Sequence, residues 1–228
     1  MYRMREWDLR VNERVDHFIA ISHEVQDRIQ RYYERSSTVI YPGIQMPIAD
    51  SAKSIESLVP ELSGKKYYLS LGRTVPYKRI DLAVEACSRL GLNLLVAGNG
   101  SELMRLQNMA GPTIYFLEEF TDEEAQVLYH HCEAFIFPGE EDFGLTVIEA
   151  QWHGKPVIAY GHGGVLDTVI DGRTGVLFNE PTAESLVEAI HKQQSMTFHY
   201  GMIKEHANKF SNDSFRSSIM KFIDEHIF

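Results

Sequence analysis

The sequence predicts an α/β protein built on a doubly wound parallel sheet. Beyond residue 64, short apolar segments alternate with segments of helical spacing. The strand candidates are YYLSLG, LNLLVAG, TIYFL, AFIFP, PVIAY and TGVLF. Strands that are apolar along their whole length are typical of a parallel sheet with helices on both faces. The helix candidates that would cover those faces are RIDLAVEACSRLG, TDEEAQVLYHHC, LTVIEAQWHG, VLDTVI and AESLVEAIHKQ.

The residues at the helix ends agree with this assignment. Thr121 and Glu124 have the spacing of a capping box, in which two side chains satisfy N–H groups at the start of a helix. Gly91 and Gly154 stand where two helix candidates stop, which is the usual place for a glycine in the left-handed conformation. Both signals therefore predict helices with defined ends.

The chain before residue 65 predicts a smaller unit and a connection. RVDHFIAIS predicts a strand, EVQDRIQRYY a helix and STVIYPGI a second strand, and these lie within residues 1–45. RMREWDLRV predicts a helix before them. Residues 46–64 contain two prolines and many small polar residues, which predicts a linker. We therefore expect the sheet domain over 65–200 and a C-terminal helical segment over 201–228.

Composition limits the classes of function. A chain of 228 residues, 44% of them hydrophobic, can bury one full core with some chain left over. The net charge of −10 argues against a general binder of nucleic acid or membrane surfaces. Cys87 and Cys132 lie in apolar helical contexts, which favours buried thiols over a disulfide and predicts a reducing, cytoplasmic location. The sequence predicts no transmembrane segment, and MYRMREWDLR does not have the apolar region of a secretion signal.

Unusual residues follow several of the predicted strands. Doubly wound sheets bind ligands outside the carboxyl ends of their strands, so these loops are where chemistry is expected. Arg73 and Lys78 follow YYLSLG, and Gly100 follows LNLLVAG. An acidic run at 140–142 follows AFIFP, and a run of three glycines and a histidine at 161–164 follows PVIAY. We expect glycines, cations and carboxylates to meet at one edge of the sheet.

The helix predicted to begin near Gly144 has the features of a phosphate site. Glycine lets a ligand approach the backbone closely, and the first turn of a helix offers unpaired N–H groups with a partial positive charge. Arg73 and Lys78 would supply fixed positive charges for a diphosphate. The alternative is that both are solvated surface cations, which is the favoured interpretation for Arg79.

Two glutamates flank the start of this helix. If the helix starts near Phe143, Glu141 lies just before it and Glu149 about two turns in, about 10 Å apart. Carboxylates at that separation could straddle a diphosphate, one accepting hydrogen bonds from a sugar and the other from a ribose. The alternative is a capping acid and a salt-bridged helix acid. Because Glu149 lies between Ile148 and Ala150, we expect it to be buried with a partner.

Several spaced motifs resemble one known family. The motifs are LGRTVPYKRIDLAVEA, FPGEEDFGLTVIEAQWHGKPVIAYGHGG and GRTGVLF. They resemble the C-terminal half of the group 1 retaining glycosyltransferases, the GT-B class with two Rossmann-like domains, and especially its mannosyltransferase-like branch. VDHFIAIS and VIYPGI resemble the end of that family's N-terminal acceptor domain and its crossover into the second domain.

The resemblance implies roles for residues at the sheet edge. Arg73 and Lys78 would bind the donor diphosphate and contribute to catalysis, together with Glu141, which would face the donor sugar. Glu149 would bind the ribose, and the spacing of Glu, seven residues, Glu is that of the family. The other donor-binding residues that it implies are Gly72, Gly98, Gly100, Phe143, Gly144, Leu145 and Thr146.

The resemblance also implies a substrate class. The donor would be a nucleotide-diphosphate sugar, with GDP-mannose as the first expectation and a UDP-sugar as the other. The sugar would pass to a glycan or lipid-linked acceptor with retention, as in polysaccharide biosynthesis. No cofactor and no metal are implied, because cations of the protein would serve the diphosphate. A zinc site at His130, His131 and Cys132 is disfavoured, since adjacent residues of a helix point in different directions.

Four positions differ from the family pattern. Asp142 and Glu118 stand where glycine is common, and Glu118 is expected to alter the nucleobase pocket. Asp167 stands where glutamate is usual, and Ile21 replaces a frequent asparagine.

Length is the largest difference from the family, whose members carry two domains of about 150 to 200 residues each. We therefore expect either a glycosyltransferase or a non-catalytic nucleotide-sugar-binding subunit of a split enzyme. The expected partner is a second copy of the chain or a separate N-terminal domain. The C-terminal helix, which would cross back toward the N-terminal part, has an apolar face formed by Phe215, Ile219, Phe222, Ile223 and Ile227.

Two further enzyme classes stay open. A glycoside hydrolase would use Glu141 and Glu149 as its acid and nucleophile, but it would leave the two cations without a role. A nucleotide-sugar epimerase would share the same architecture. Hydrolysis of simple aryl glycosides, unaffected by nucleotide, would support the hydrolase, and analysis of the products formed without acceptor would identify the epimerase.

Overall fold

The computed structural model describes residues 2–45 and 54–226. The chain divides into two compact units, Met1–Gly43 with Phe210–Phe228, and Ile44–Lys209. Among the helices of the described residues, none combines the length and the apolar character that a membrane crossing requires.

The smaller unit begins with alternating helices and short strands. Its N-terminal elements are α1 (Tyr2–Asn12), β1 (Ile19–Ala20), α2 (His23–Tyr33) and β2 (Thr38–Val39). The hydroxyl oxygen of Ser22 caps α2 by accepting the backbone N–H of Val25 at 3.1 Å. The two strands pair in parallel over only two residues each, so the predicted strands are present but much shorter than the apolar segments.

The segment predicted as a linker over 46–64 is folded where the structure describes it. Residues 46–53 lie outside the described residues, and the remainder forms α3 (Ile55–Leu58) and a 3₁₀ turn at Pro60–Leu62. Ile55, Val59 and Leu62 are buried in the core of the larger unit. The linker prediction is therefore corrected for 54–62. Apolar residues at helical spacing outweigh the local prolines and serines there because they have a core to enter.

The larger unit contains a sheet of six parallel strands, as predicted. The strands are β3 (Tyr68–Leu71), β4 (Leu94–Ala97), β5 (Ile114–Leu117), β6 (Phe135–Phe137), β7 (Val157–Tyr160) and β8 (Gly175–Phe178). Their order across the sheet is β5-β4-β3-β6-β7-β8. The register aligns Leu69 with Leu95 on one side and with Phe135 on the other. Each strand lies within the apolar segment that predicts it.

Helices cover both faces of this sheet. They are α4 (Ile80–Leu90), α5 (Leu103–Met109), α6 (Asp122–His131), α7 (Leu145–Trp152), α8 (Val165–Thr168), α9 (Ala183–Ser195) and α10 (Tyr200–Ala207). The sequence analysis did not predict α5, whereas α10 lies almost wholly within the C-terminal helical segment predicted over 201–228. Helix α5 is short and polar, and it buries only Leu103 and Leu106, so its periodicity is weak.

Neighbouring strand residues enter two separate cores. Leu95 and Phe135 lie in one apolar cluster, whereas Leu94 and Ile136 lie in the other. This alternation is the reason for strands that are apolar at every position. Cys87 and Cys132 are free and buried, which confirms that they are core residues.

The predicted helix ends are also observed. The hydroxyl of Thr121 accepts the N–H of Glu124, and the carboxylate of Glu124 accepts the N–H of Thr121 at 2.7 Å. Gly91 ends α4 with φ +63°, and Gly154 follows α7 with φ +74°. The capping box and both glycine stops are therefore confirmed.

The C-terminal residues divide between the two units. Helix α10 belongs to the larger unit, whereas α11 (Asn212–His226) belongs to the smaller one. There the ring of Phe222 lies 5.9 Å from that of His17, and the ring of Phe210 lies 5.2 Å from that of Tyr41. Of the predicted apolar face, Phe222 is buried and Phe215 is exposed, and Ile227 lies outside the described residues.

Candidate functional site

The strand order reverses direction between β3 and β6. The chain proceeds outward from β3 through β4 to β5 on one side, and from β6 through β7 to β8 on the other. The connections that leave β3 and β6 therefore diverge, and the crevice at this point is where doubly wound sheets bind ligands. Lys78 and Glu141 both border the space beside these strand ends.

Two predicted glycines lock the loops after β3 and β4 together. A Cβ atom on Gly98 would lie 2.1 Å from the carbonyl oxygen of Gly72, and one on Gly100 would lie 2.4 Å from that of Thr74. Gly98 also has φ +129°, a conformation that L-residues rarely adopt. These glycines were predicted to admit a ligand to the backbone. The structure adds a further reason for glycine, because a Cβ atom at either position would collide with the adjacent loop.

Lys78 is held in place by its backbone. It ends the 3₁₀ helix Pro76–Lys78, and Arg79 leaves that helix with φ +49°. A Cβ atom on Gly139, in the loop after β6, would lie 2.6 Å from the Cα atom of Lys78. Gly139 therefore brings the two loops of the crevice into backbone contact. The sequence analysis missed this residue, although a proline and a glycine directly after a buried strand mark it.

The crevice brings two of the predicted catalytic residues into direct contact. Lys78 Nζ lies 2.7 Å from Glu141 Oε1, and the two side chains are only 15% and 21% exposed. This is an ion pair without the geometry of a hydrogen bond, so the buried Oε1 keeps hydrogen-bonding capacity that no described residue fills. Arg73 is exposed and forms no salt bridge with a carboxylate of the described residues. Of the two predicted cations, Lys78 is thus paired with a carboxylate, whereas Arg73 is available to an anionic ligand.

The start of α7 offers backbone donors to the same crevice. Gly144 is its N-cap residue, with φ +84°, and a glycine has no side chain with which to cap the helix. The helix begins at Leu145, the first residue of the segment LTVIEAQWHG that predicts it. The hydroxyl oxygen of Thr146 in the first turn is buried without a partner among the described residues. Uncapped N–H groups at a helix start favour an anionic ligand.

The acidic run before α7 is fixed by the loop after β7. Residues Glu141 and Gly163 form an isolated parallel bridge, and the N–H of Gly164 donates to the carbonyl of Glu141 at 2.8 Å. A Cβ atom on Gly164 would lie 2.1 Å from the carbonyl oxygen of Asp142. His162 pairs with Glu140 at 3.3 Å. The predicted meeting of these loops at one sheet edge is confirmed.

Glu149 is partly buried and has a partner, as predicted. The hydroxyl of Tyr129 on α6 donates to Glu149 Oε2 at 2.7 Å. Burial raises the pKa of Glu149 above its usual value, while the hydrogen bond from Tyr129 and the charge of Lys78 oppose that rise. The carboxylate is therefore held by a neighbouring side chain and does not lie on a solvated helix face.

His153 packs against the ring of Tyr129. The ring of His153 stacks on that of Tyr129 at 5.9 Å and 13°, and its Nε2 lies 2.6 Å from Gln126 Oε1. Since an amide oxygen only accepts, Nε2 carries the proton. Burial lowers the pKa of His153 to about 4. The imidazole is therefore uncharged near neutral pH.

This burial predicts a loss of stability in acid. Because the folded-state pKa of His153 lies below the usual 6.5, the unfolded chain takes up the proton first as the pH falls. The contribution is fully present above about pH 6.5 and is lost down to about pH 4. We expect His153→Gln to reduce the drop in unfolding free energy between pH 7.5 and 5 by about 1 to 2 kcal/mol, after allowance for solvent screening.

Urea unfolding at the two pH values measures this effect. The control is His191→Gln on the exposed side of α9, which should leave the pH dependence as in the wild type. An equal pH dependence in wild type and His153→Gln would contradict the prediction.

Some predicted residues do not join the crevice. Arg79 pairs with Asp81 at 3.2 Å, in keeping with its assignment to the surface. Glu118 accepts a hydrogen bond from Gln107 at 3.3 Å. No cluster of metal-ligating side chains is found within residues 2–45 and 54–226.

The sequence analysis missed Tyr129, because a tyrosine in an apolar helix stripe has the same pattern as any core aromatic.

A family model and several curated proteins are similar to this chain in sequence. The family model described as "Glycosyl transferases group 1" matches residues 54–212. Human alpha-1,3/1,6-mannosyltransferase ALG2 is 30% identical over 220 residues, covering 81% of this chain and 51% of that protein. GDP-mannose-dependent alpha-mannosyltransferase of Mycolicibacterium smegmatis is 30% identical over 179 residues, covering 76% and 47%. The chain spans about half the length of the curated relatives it matches.

Solved structures agree on the fold. Sucrose-phosphate synthase from Thermosynechococcus elongatus matches with a TM-score of 0.81 at 22% identity, over 99% of this chain and 62% of the other. Anabaena HepE in complex with UDP and glucose matches with a TM-score of 0.79 at 20% identity, over 95% and 66%. The fold is thus the Rossmann-like half of the GT-B arrangement. With the family model matched over more than half of its length, the chain belongs to the group 1 glycosyl transferases.

Proposed function

We propose that this chain binds a nucleotide-diphosphate sugar in the crevice between β3 and β6 and transfers the sugar with retention. GDP-mannose is the first candidate donor. The mannosyltransferases among its relatives support that choice, one of them being GDP-mannose-dependent by name. UDP is the alternative nucleotide, because HepE was crystallised with it.

The observation that carries the proposal is the convergence of charge at the switch point. Lys78, Arg73 and the start of α7 supply positive charge and N–H donors. Glu141 is paired with Lys78, and Glu149 lies on α7 itself. A diphosphate at this place would receive charge-assisted hydrogen bonds. A hydrolase would need the two carboxylates but would make no use of the cations.

The same groups would assist cleavage of the bond between the sugar and the diphosphate. When the bond from sugar to diphosphate breaks, negative charge grows on the leaving diphosphate. Once the donor is bound, Lys78, Arg73 and the N–H groups of α7 would lie next to the leaving diphosphate, and groups placed in this way before the bond breaks stabilise developing charge effectively. Glu141 has an oxygen that no described residue hydrogen-bonds. This oxygen would accept hydrogen bonds from hydroxyl groups of the donor sugar.

Donor binding would also exchange ion pairs. In the free site Lys78 is paired with Glu141. An incoming diphosphate would draw Lys78 toward its own oxygens and free the carboxylate for the sugar. Assembly of the site would then accompany binding.

A donor-binding subunit is the second candidate function. The chain covers 51% of human ALG2, and in the GT-B class the acceptor site is built by the other half. In that case a separate N-terminal domain or a second copy of the chain would complete the enzyme. The donor site would be the same in both cases.

Calorimetric titration with GDP, UDP and ADP tests the shared part of the proposal. We expect dissociation constants between micromolar and millimolar and a preference for one base. Release of nucleotide from GDP-mannose, with the anomeric configuration of the product read by NMR, then separates an active transferase from a binding subunit. Absence of binding by all three nucleotides would overturn the proposal, and hydrolysis of aryl glycosides unaffected by nucleotide would favour a hydrolase.

Glu141→Gln is expected to separate affinity from turnover. The substitution releases Lys78 for the diphosphate, so we expect nucleotide to bind equally or about 2- to 10-fold more tightly. Turnover, if the chain catalyses alone, should fall on the order of 100-fold. Calorimetry and nucleotide release measure the two quantities. The neighbouring Glu140→Gln, which changes an exposed carboxylate, is the matched control, and weaker nucleotide binding by Glu141→Gln would contradict the assignment.

A further inference from the structure

We propose that Tyr129 is a positioning residue, whose hydroxyl fixes the carboxylate of Glu149 for the ribose hydroxyls of the donor. The inference rests on the proposed function and extends it to a residue on α6 that lies behind the site. Its basis is a single hydrogen bond of 2.7 Å between a fully buried phenol and Glu149 Oε2.

The hydroxyl of Tyr129 is a permanent donor. Its ring is 0% exposed, and burial with the nearby charge of Glu149 raises its pKa well above the usual value. A phenol that keeps its proton donates it to an acceptor, and here the acceptor is Glu149 Oε2. Oε2 of Glu149 is thereby occupied by a donor from the protein.

The direction of this bond is fixed by the packing of the ring. Tyr129 stacks on His153 and lies 5.7 Å from Phe135 of β6, tilted by 59°. His153 is itself tied to Gln126, one turn before Tyr129 on α6. A phenol confined between these groups cannot rotate away. Side chains locked in this manner hold a binding group at a defined orientation.

The second carboxylate oxygen of Glu149, Oε1, is not occupied in the same way as Oε2. No described residue donates a side-chain hydrogen bond to Oε1, so half of the carboxylate keeps its acceptor capacity. A partly buried carboxylate with one oxygen occupied fits a ligand that brings neutral hydroxyl donors. The vicinal hydroxyls of a ribose supply them without adding a charge.

A purely structural role makes a different prediction. If Tyr129 only fills the core, phenylalanine would retain nearly all of its contacts, and any effect on binding would be the same for every ligand. If its hydroxyl orients Glu149, the loss appears only with a ligand whose hydroxyls reach that carboxylate. A nucleotide with and without its ribose hydroxyls distinguishes the two.

The experiment titrates GDP and 2′,3′-dideoxy-GDP, and likewise UDP and 2′,3′-dideoxy-UDP, into four proteins. These are the wild type, Tyr129→Phe, Glu149→Gln and the double variant. For the base that binds, we expect Tyr129→Phe to weaken binding of the ribonucleotide about 5- to 30-fold and to leave the dideoxy nucleotide within about twofold. The double variant should be no weaker than Glu149→Gln alone, because both act through one carboxylate.

Tyr67→Phe is the matched control. Tyr67 is equally buried, and its hydroxyl donates at 2.8 Å to the backbone carbonyl of Leu128, the residue before Tyr129. Removal of its hydroxyl should lower the thermal unfolding temperature about as much as Tyr129→Phe does. It should leave binding of both nucleotides unchanged.

The outcomes separate the inference from the proposed function. Ribose-dependent binding that survives Tyr129→Phe, or an equal loss for both nucleotides, would overturn the role of Tyr129 alone. Failure of the wild type to bind any of the four nucleotides would overturn the proposed function and, with it, this inference.

Discussion

Lys78→Ala is expected to weaken nucleoside diphosphate binding by about 1.5 to 3 kcal/mol, or about 10- to 150-fold. The substitution removes a cation that is held at the crevice by the backbone contact with Gly139. It also leaves Glu141 without its ion-pair partner, 2.7 Å away, so an uncompensated carboxylate would repel the incoming phosphates. Calorimetric titration with GDP and UDP measures the change.

Arg79→Ala provides a control of the same charge at the next position. Its guanidinium pairs with Asp81 and does not reach the carboxylates of the crevice, so binding should change by less than about twofold. Equal nucleotide binding by wild type and Lys78→Ala would remove Lys78 from the site. An equal loss in both variants would indicate a general effect of net charge.

Gly98→Ala is expected to lower the free energy of unfolding by more than about 3 kcal/mol. The new Cβ atom would lie 2.1 Å from the carbonyl oxygen of Gly72, and the backbone would have to keep φ +129°. The clash is with backbone and not with a side chain that could turn away. Either the loops after β3 and β4 separate, or the chain does not fold. Urea unfolding followed by circular dichroism measures the loss.

Gly201→Ala is the matched control for this substitution. Gly201 lies in the first turn of α10, and no atom approaches within 4 Å of its Cβ position. The same change should leave stability as it is or raise it by up to about 1 kcal/mol. Soluble Gly98→Ala protein with wild-type stability and nucleotide affinity would contradict the role assigned to this loop contact.

The sheet could be predicted from the sequence because burial on both faces leaves an unambiguous pattern. β4 at Leu94–Ala97 lies within LNLLVAG, and β6 at Phe135–Phe137 lies within AFIFP. The small unit was harder, since β1 and β2 each pair over two residues only and little of their apolar sequence enters the ladder. Residues 54–62 were assigned to a linker because their core contacts are with distant segments.

Residue types at the candidate site could be predicted, but their contacts could not. The rule for doubly wound sheets places Lys78 and Glu141 at one edge, although they are far apart in sequence. That they touch depends on Gly139 and on the register of β3 with β6, which local patterns do not contain. Glycine at 98 and 100 was expected for access of a ligand, and the contact between loops that also requires glycine there could not be predicted from local patterns.

The pairing of Lys78 with Glu141 sets a threshold for occupancy of the crevice. A carboxylate already neutralises the lysine, so a chloride or another weakly charged solute gains little by displacing it. A ligand that carries two or three negative charges on adjacent groups gains more than it disrupts. The site would then select among anions first by their charge, and only afterwards by the base and the sugar that they carry.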